Sequence, residues 1–324
     1  MDKLLTGLRA AGELTRLRLL ALCAHGELSV TELTQILSQS QPRISRHLKL
    51  LVEAGLLTRF REGNLVFYRI AEGSEDAHLA RTLVDLLPGD DSTLNRDLQR
   101  LDQIRQQRAA VAEQYFQDNA ERWNEIRAMH VPEQELEKAF LSVVGKKSIG
   151  SFLDIGTGTG RIIELLAEQT ERGIGIDNSG GMLSLARASL EQAGIRHMQV
   201  RKGDMYSLPV EDNSIDLATL HLVLHYSMEP AQVISEACRT VKPGGRLVIV
   251  DFAPHQEETL RTEHQHQRLG FADKEITAIF AQLSLKPGKT RVLSGNPLTV
   301  NIWHATKPLD YKSETEAEAA RQLH

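Results

Sequence analysis

The sequence predicts an α/β protein in two parts: a small helical unit closed by a β-hairpin, then a larger domain with helices on both faces of a mostly parallel sheet. Three observations predict it. Early in the chain, apolar side chains recur at helical spacing and then give way to two β-rich runs, Leu56–Phe60 and Leu65–Ile70. From Ser151 onward, short apolar strands alternate with helical segments, the pattern that builds a parallel, doubly wound sheet. The first of those strands runs straight into alternating glycines, Asp154-Ile-Gly-Thr-Gly-Thr-Gly160, which permit a tight turn and close approach of backbone to a ligand.

Bulk properties narrow the classes. The chain has 324 residues, enough for about two domains at roughly 100–200 residues each. It is 41% hydrophobic and 25% charged, a globular composition that folds without staples. Its two cysteines, Cys23 and Cys238, have no paired or metal-binding spacing. A disulfide scaffold and a cysteine zinc site are therefore excluded, and a reducing, cytoplasmic setting is expected. With no secretory leader pattern and no apolar run of about 20 residues, no membrane span is expected. Charge is uneven: residues 1–72 hold 10 Lys and Arg against 7 Asp and Glu, net +3, and the remainder is net −8. That is the direction expected if only the first part meets nucleic acid.

The first helix is expected from Leu4 to about Leu22, on Leu14, Leu17, Leu20 and Ala21, with Gly26 ending it. Ser29 and Glu32 have capping-box spacing and open a helix to about Leu37. After a turn at Ser38–Pro42, Pro42 stands in the first turn of the next helix, where its missing N–H is harmless. Ile44, Leu48, Leu51 and Val52 form the buried stripe of that helix, and Gly55 closes it. The hairpin follows, with Arg61-Glu-Gly-Asn64 between its strands. From about Ser74 to Phe140 the chain reads as helix. Leu79, Leu83 and Leu86 form one stripe; Leu94, Leu98, Leu101, Ile104 and Val111 form another beyond Pro88–Ser92. The expected boundaries are residues 1–90 for the first unit with its dimerisation helix, 91–130 for a helical linker, 131–307 for the α/β domain and 308–324 for a flexible tail.

In the α/β domain, strands are expected at Phe152–Ile155, Gly173–Ile176, His197–Arg201, Ile215–Leu222, Arg246–Phe252 and Thr299–Ala305. Helices are expected at Ile162–Ala167, Met182–Ala193 and Ala231–Thr240. Gly156, Thr157, Gly158 and Gly160 form the ligand turn, and the next helix directs its N-terminus there. A dinucleotide fingerprint needs Gly or Ala where Arg161 stands. The spacing therefore favours S-adenosylmethionine, with its methionine tail, over a pyrophosphate ligand. Asp177, at the end of the second strand and beside Asn178 and Met182, can accept both ribose hydroxyls. Asp204, after the third strand, can accept from the adenine amino group, with the Met205 N–H facing the ring.

Asp154–Gly160, Asp177, Asp204, Ile215–His221 and Lys242–Gly245 together resemble the successive motifs of the class I S-adenosylmethionine-dependent methyltransferases, nearest the ubiquinone/menaquinone-biosynthesis-like group. The resemblance covers about residues 120–306. It implies a Rossmann-like domain with a mostly parallel seven-stranded sheet, and a cofactor site that includes Asp154 and His221. Residues 8–72 resemble the ArsR-type winged helix-turn-helix regulators, through Gly12–Leu20, Leu28–Leu37, Gln41–Leu51, Ala54–Leu57 and the wing to Ile70. A helix that enters the major groove needs one polar, basic face and one apolar face. Gln41, Arg43, Ser45, Arg46, His47 and Lys49 supply the first. Arg43 or Arg46 suits guanine, and Ser45 and Lys49 suit phosphate. Arg59, Arg61 and Arg69 suit a wing along the DNA backbone. Double-stranded operator DNA and a second copy of the chain are the implied partners. The family's usual metal-sensing cysteines are missing from Thr31–Ile36. Asp76 and His78 match only half of a metal site, so no metal is expected.

Methyl transfer is an in-line displacement from an already activated methyl group, so positioning contributes much of the catalysis. A histidine base helps some acceptors. His221 and His225 follow the fourth strand, where the cleft belongs, and are the catalytic candidates, with Tyr226 beside them. Asp251, His255, His264 and His266 follow the fifth strand, and Arg268 is a candidate partner for an acidic substrate. His264 and His266, two apart, cannot share a helix face. Three functions fit these residues: a repressor joined to an active small-molecule methyltransferase, a repressor that senses S-adenosylmethionine or S-adenosylhomocysteine without turnover, and a methyltransferase whose N-terminal module only dimerises it.

Overall fold

The structure, a computed structural model, describes residues 2–62, 65–71, 75–107, 131–264 and 266–309. The chain divides into two compact units, Met1–Val111 and Ala112–His324. The first contains α1 (Asp2–Ala11), α2 (Leu14–Cys23), β1 (Leu28–Ser29), α3 (Val30–Leu37), α4 (Gln41–Glu53), β2 (Leu57–Glu62), β3 (Leu65–Ile70), α5 (Glu75–Asp85) and α6 (residues 92–107). Its three strands form an antiparallel sheet in the order β1-β3-β2.

The single helix expected from Leu4 to Leu22 is two helices. Glu13 divides them: its backbone is extended (φ −152°, ψ 140°), and its carboxylate accepts the Arg16 N–H at 3.0 Å, capping α2. Glutamate is an unusual N-cap residue, so the apolar spacing ran through the break unmarked. The capping box of α3 forms as expected. The Glu32 N–H donates to Ser29 Oγ at 3.3 Å, and the Ser29 N–H donates to Glu32 Oε2 at 2.7 Å. Pro42 lies in the first turn of α4, whose Ile44, Leu48 and Leu51 are fully buried. These side chains meet Leu20, Leu33 and Ile36 in one core. Leu86, expected on a stripe, is 74% exposed.

The helix α6 belongs to this unit, not to the linker expected over residues 91–130. Leu101 and Ile104 are buried in the same core. Arg100 donates to the Ile36 carbonyl and Arg105 to the His25 carbonyl, each at 2.7 Å. The rest of the expected linker, with Val111, the turn positions 63–64 and the tail beyond Leu309 lie outside the described residues.

The second unit is built on one sheet: β4 (Ile149–Ile155), β5 (Thr170–Asp177), β6 (Met198–Lys202), β7 (Ile215–His221), β8 (Val241–Phe252), β9 (Lys286–Pro287), β10 (Arg291–Leu293) and β11 (Val300–Thr306). Its helices are α7 (Glu133–Val144), α8 (Arg161–Leu166), α9 (Gly180–Gln192), α10 (Pro230–Thr240), α11 (Glu258–Thr262) and α12 (Asp273–Gln282). The strand order is β10-β11-β8-β7-β4-β5-β6, seven strands, and the two-residue β9 adds an eighth against β11. The strands from β8 to β6 along this path are parallel; β11 pairs antiparallel with β8, and β10 pairs antiparallel with β11. Period-2 alternation sends Phe152 into the core under α7, α8 and α9, and Leu153 into the core under α10 and α12. The chain moves outward from β4 through β5 to β6, then returns to place β7 on the other side of β4. That reversal opens a crevice at the carboxyl ends of the strands, where doubly wound sheets bind ligands. Among the described residues, no helix is long and apolar enough to cross a membrane.

One buried ion pair ties α6 to α2. Arg18 donates from Nε and Nη2 to the two oxygens of Asp97 at 2.6 and 2.7 Å, and Asp97 is 2% exposed. Removing one partner strands a buried charge, which costs about 3–5 kcal/mol; replacing both by apolar residues is near neutral. Asp97→Ala should therefore lower the stability of the first unit by about 3 kcal/mol in urea unfolding, and Arg18→Met with Asp97→Leu should restore most of it. A single variant as stable as the parent would show that the pair is only a surface contact.

Candidate functional site

A cavity of about 1100 Å³ follows the strand ends of the second unit. Its floor is the turn after β4. Gly156, Gly158 and Gly160 all have positive φ (71°, 54° and 83°). At Gly156 a Cβ would stand 2.2 Å from Val223 Cγ2, so only glycine lets the β4 turn pass the segment after β7. Gly156 and Gly158 line the cavity with Thr157 and Thr159; Gly160 does not. A Cβ at Gly160 would lie 3.1 Å from that of Ala186, so this glycine serves the packing of α8 on α9.

Asp177 closes the turn from the β5 side. Its Oδ2 accepts the Gly158 N–H at 2.9 Å, and its Oδ1 accepts the Ser179 N–H at 2.8 Å. Each oxygen keeps a second lone pair for a ligand hydroxyl. Burial raises its pKa, against the pull of the Ser179 and Gly158 N–H groups. Asp154, 1% exposed, accepts from the Thr219 hydroxyl at 2.6 Å. Burial pushes its carboxyl up to about 6; Thr219 opposes that rise, and the nearby Asp177 adds to it. Asp204 is exposed beyond β6, and its Oδ1 accepts the Tyr206 N–H at 3.0 Å. Asn178, Met182 and Met205 also line the cavity.

Sequence reasoning missed one wall. Leu136 of α7 lines the cavity beside Glu133 and Glu137, and Glu137 takes a bidentate bond from Arg161 at 2.6 and 2.9 Å. The apolar spacing of Leu136 and Phe140 marks a helix within the expected α/β domain, but not one that meets a ligand cavity. Tyr206, Lys202 and Gln267 are further lining residues that no motif marked.

The two candidate bases separate. His221 lines the cavity, with its ring edge-on to Phe140 at 5.8 Å. His225 does not. It is 3% exposed, its Nδ1 is 2.8 Å from Asp251 Oδ1, and its ring stacks on His266 at 3.9 Å. Its backbone N–H also donates to Asp251, at 3.1 Å, and its carbonyl accepts from Gln267 and Arg268. His225 therefore braces the wall behind Tyr226 and Gln267 from within the core. Arg268 is committed to Glu275 and stands over the Phe271 ring, so it is not an open anion receptor. Leu222, at the end of β7, holds a left-handed conformation (φ 52°) on the cavity rim, a strained geometry for a branched side chain. Among the described residues, no three His, Cys, Asp or Glu side chains group as a metal site.

In the first unit, α4 exposes Gln41, Arg43, Arg46 and Lys49 opposite its buried stripe, with Ser45 half-buried. His47 is turned inward: its side chain is 15% exposed, 3.5 Å from Glu13. Burial lowers its pKa, and Arg16, Arg43 and Arg46 lower it further against the pull of Glu13. Lys49 pairs with Glu53 at 3.7 Å. Arg59 and Arg61 are exposed on β2, whereas Arg69 is 12% exposed and paired with Glu27.

The raised carboxyl of Asp154 has a measurable sign. A carboxyl that holds its proton more tightly when folded favours folding at low pH. Stability then falls as pH climbs from about 4 through about 6. The span from 3.8 to about 6 corresponds to about 3 kcal/mol. Asp154→Asn should therefore make the ligand-free protein up to about 3 kcal/mol more stable at pH 7, with no difference near pH 4. Equal urea midpoints at pH 7 would show that the carboxyl ionises at its ordinary pH.

Comparison with known proteins agrees with both units. Residues 14–59 match the model of the bacterial regulatory proteins of the arsR family, and residues 153–249 match that of a methyltransferase domain. An uncharacterized 37.1 kDa protein in a transposon of Streptomyces fradiae is 42% identical over 102 residues, 31% of this chain and 29% of that protein. A demethylmenaquinone methyltransferase of Clavibacter sepedonicus is 34% identical over 116 residues, 36% of this chain and 45% of that enzyme. The chain thus spans less than half the length of these relatives. In fold, it resembles a chain of the Haloferax volcanii complex between a methyltransferase activator and a methyltransferase, with TM-score 0.50, 18% identity, and coverage of 62% of this chain and 99% of that one. The chain accordingly carries a segment similar to the bacterial arsR regulatory family over residues 14–59 and one similar to a methyltransferase domain over residues 153–249.

Proposed function

We propose that this protein is a DNA-binding transcriptional regulator joined to a methyltransferase that uses S-adenosylmethionine to methylate a small molecule. The observation that carries this reading is the order of groups along one cavity: Asp204 beyond β6, Asp177 at the end of β5, Asp154 and the glycine turn at β4, and His221 at β7. These residues fit the cofactor part by part. Asp204 and the Met205 N–H would hold the adenine, Asp177 the ribose hydroxyls, and the Gly156–Gly158 turn with Asp154 the methionine end. When bound, S-adenosylmethionine supplies a methyl group already activated by its sulfonium. The chain's own work is then to orient an acceptor at the β7 end and exclude water. His221, on that side, takes the acceptor's proton.

The first unit supplies the operator contact through Gln41, Arg43, Ser45, Arg46 and Lys49 of α4 and through Arg59 and Arg61 of the wing. A second copy of the chain is its partner. Leu4, Leu5 and Leu8 leave α1 with an apolar face 42–46% exposed, which a two-fold dimer covers while presenting two α4 helices to two half-sites.

One observation favours a second reading, in which the domain senses S-adenosylmethionine or S-adenosylhomocysteine without turnover. His225, one of the two candidate bases, is sealed against Asp251 and takes no part in the cavity wall. A ligand shifts operator affinity only if it binds two states of the chain differently. Titrating operator DNA from upstream of the protein's own gene, with and without each ligand, separates the readings. The sensor predicts a ligand-dependent midpoint; the enzyme predicts turnover on a metabolite and no need of such a shift.

Asp177→Ala should weaken S-adenosylmethionine binding by roughly 10- to 100-fold, as the loss of a charged hydrogen-bond acceptor implies. Unchanged affinity by calorimetry would refute the ribose assignment. Arg46→Ala should weaken specific operator binding by about 1–3 kcal/mol if Arg46 reads a base. A uniform loss on all sequences with a shallower salt dependence would instead make it a phosphate contact.

A further inference from the structure

We propose that Tyr206 is a positioning residue through which an occupied cofactor seat fixes the acceptor-side wall of the cavity. This rests on the reading of the cavity given under Proposed function. Tyr206 lies in the turn after β6 that carries Asp204 and Met205. Its N–H donates to Asp204 Oδ1 at 3.0 Å, and the Ser207 N–H donates to the Asp204 carbonyl at 3.1 Å, so the residue is part of the adenine-side turn. Its side chain reaches a different segment. The phenol oxygen is 2.8 Å from Ser227 Oγ and accepts the Met228 N–H at 3.1 Å. Ser227 is fully buried, and its Oγ also accepts the Glu229 N–H at 3.1 Å. The two hydroxyls together hold the last residues before α10.

The segment they hold is the wall itself. Leu222, Val223 and Tyr226 line the cavity, and Val223 is the side chain against which Gly156 packs. The sheet does not connect the two loops, because β5 and β4 lie between β6 and β7. Arg239 of α10 binds the carbonyls of Leu208 and Val210, and Glu236 accepts the Leu208 N–H, so α10 anchors the far end of the adenine-side loop. Tyr206 sets its near end. A ligand that packs on Asp204 and Met205 restrains the Tyr206 backbone and, through one hydroxyl, the run from Leu224 to Glu229. An occupied cofactor seat therefore holds the acceptor wall more firmly than an empty one.

Hydrogen exchange of the full chain, with S-adenosylhomocysteine as the probe, tests this. In the parent protein, saturating probe should slow exchange over residues 203–207 and also over 224–229. In Tyr206→Phe, which deletes only the hydroxyl, slowing should persist over 203–207. Over 224–229, exchange should run up to about tenfold faster than in the liganded parent, the scale of one lost hydrogen bond. Ser227→Ala should reproduce the effect, and the double variant should add little to either single one. Full protection over 224–229 in Tyr206→Phe, or a parent in which the probe slows 203–207 alone, overturns the proposal while leaving the cofactor site intact. A parent whose exchange and calorimetry show no binding of the probe overturns the cofactor reading instead, and the coupling with it. Unchanged exchange in β4 and β7 confirms that each variant is folded.

Discussion

The carbonyl of Ile176 fixes the glycine turn on which the cavity of the second unit is built. It accepts the N–H groups of Gly156 and Thr157 at 2.7 and 3.0 Å, and one residue later the Asp177 carboxylate accepts that of Gly158. Three consecutive donors of the β4 turn are thus pinned to the end of β5. On its other side the same turn passes Val223 so closely that no Cβ fits at Gly156. The ends of β5, β4 and β7 become one rigid rim, and the acids on that rim acquire fixed spacing. A binding site on rigid elements holds its groups more closely than one on free loops. Here the turn is a loop in conformation but part of the sheet in its bonding.

What the sequence made legible follows from this locality. Asp154, Asp177 and Asp204 sit at strand ends, so the strand–helix alternation that revealed the sheet also placed the acids. The α3 capping box, the Pro42 start of α4 and its buried stripe are likewise written within a few residues. What was not legible depends on distant partners. His225 looked as accessible as His221, and only its tertiary pairing with Asp251, 26 residues on, removes it from the cavity. Gly160 shares the glycine rhythm but packs against Ala186 on a neighbouring helix. The cavity wall on α7 was hidden because amphipathic spacing says that a face is buried, not against what. Arg69 read as a wing residue until the fold brought Glu27 beside it. Glu13 shows the reverse limit, a local event carried by a residue type that seldom signals it.

The buried charges fall into two kinds. Arg18 with Asp97 is compensated within the first unit, and burial there joins two helices. Burial raises the pKa of both Asp154 and Asp177, and the nearby Asp177 adds to the rise at Asp154. Both carboxyls hold the rim together, Asp154 through the Thr219 hydroxyl and Asp177 through the Gly158 and Ser179 N–H groups, at the cost of their burial. Their cost belongs to the site, and a cationic ligand that enters offsets it. Leu222, strained at the same rim, is of a piece with this: the fold tolerates local cost where the ligand is to sit.

The same bookkeeping bears on which ligand the cavity suits. Among the described residues, its lining carries the carboxylates of Glu133, Glu137, Asp154, Asp177 and Asp204 against the cations of Arg161 and Lys202. Arg161 is already bound to Glu137, so it brings no free positive charge to the turn. A dinucleotide would place a doubly charged pyrophosphate against this turn, and the surrounding acids would repel it. A sulfonium beside an ammonium has the opposite sign and is drawn to the same acids. The non-glycine residue that breaks the dinucleotide spacing is therefore also the one whose charge is spent within the wall. Sequence spacing and cavity electrostatics reach the same ligand by independent routes: Arg161 excludes one by its position, and the acids select the other by their field.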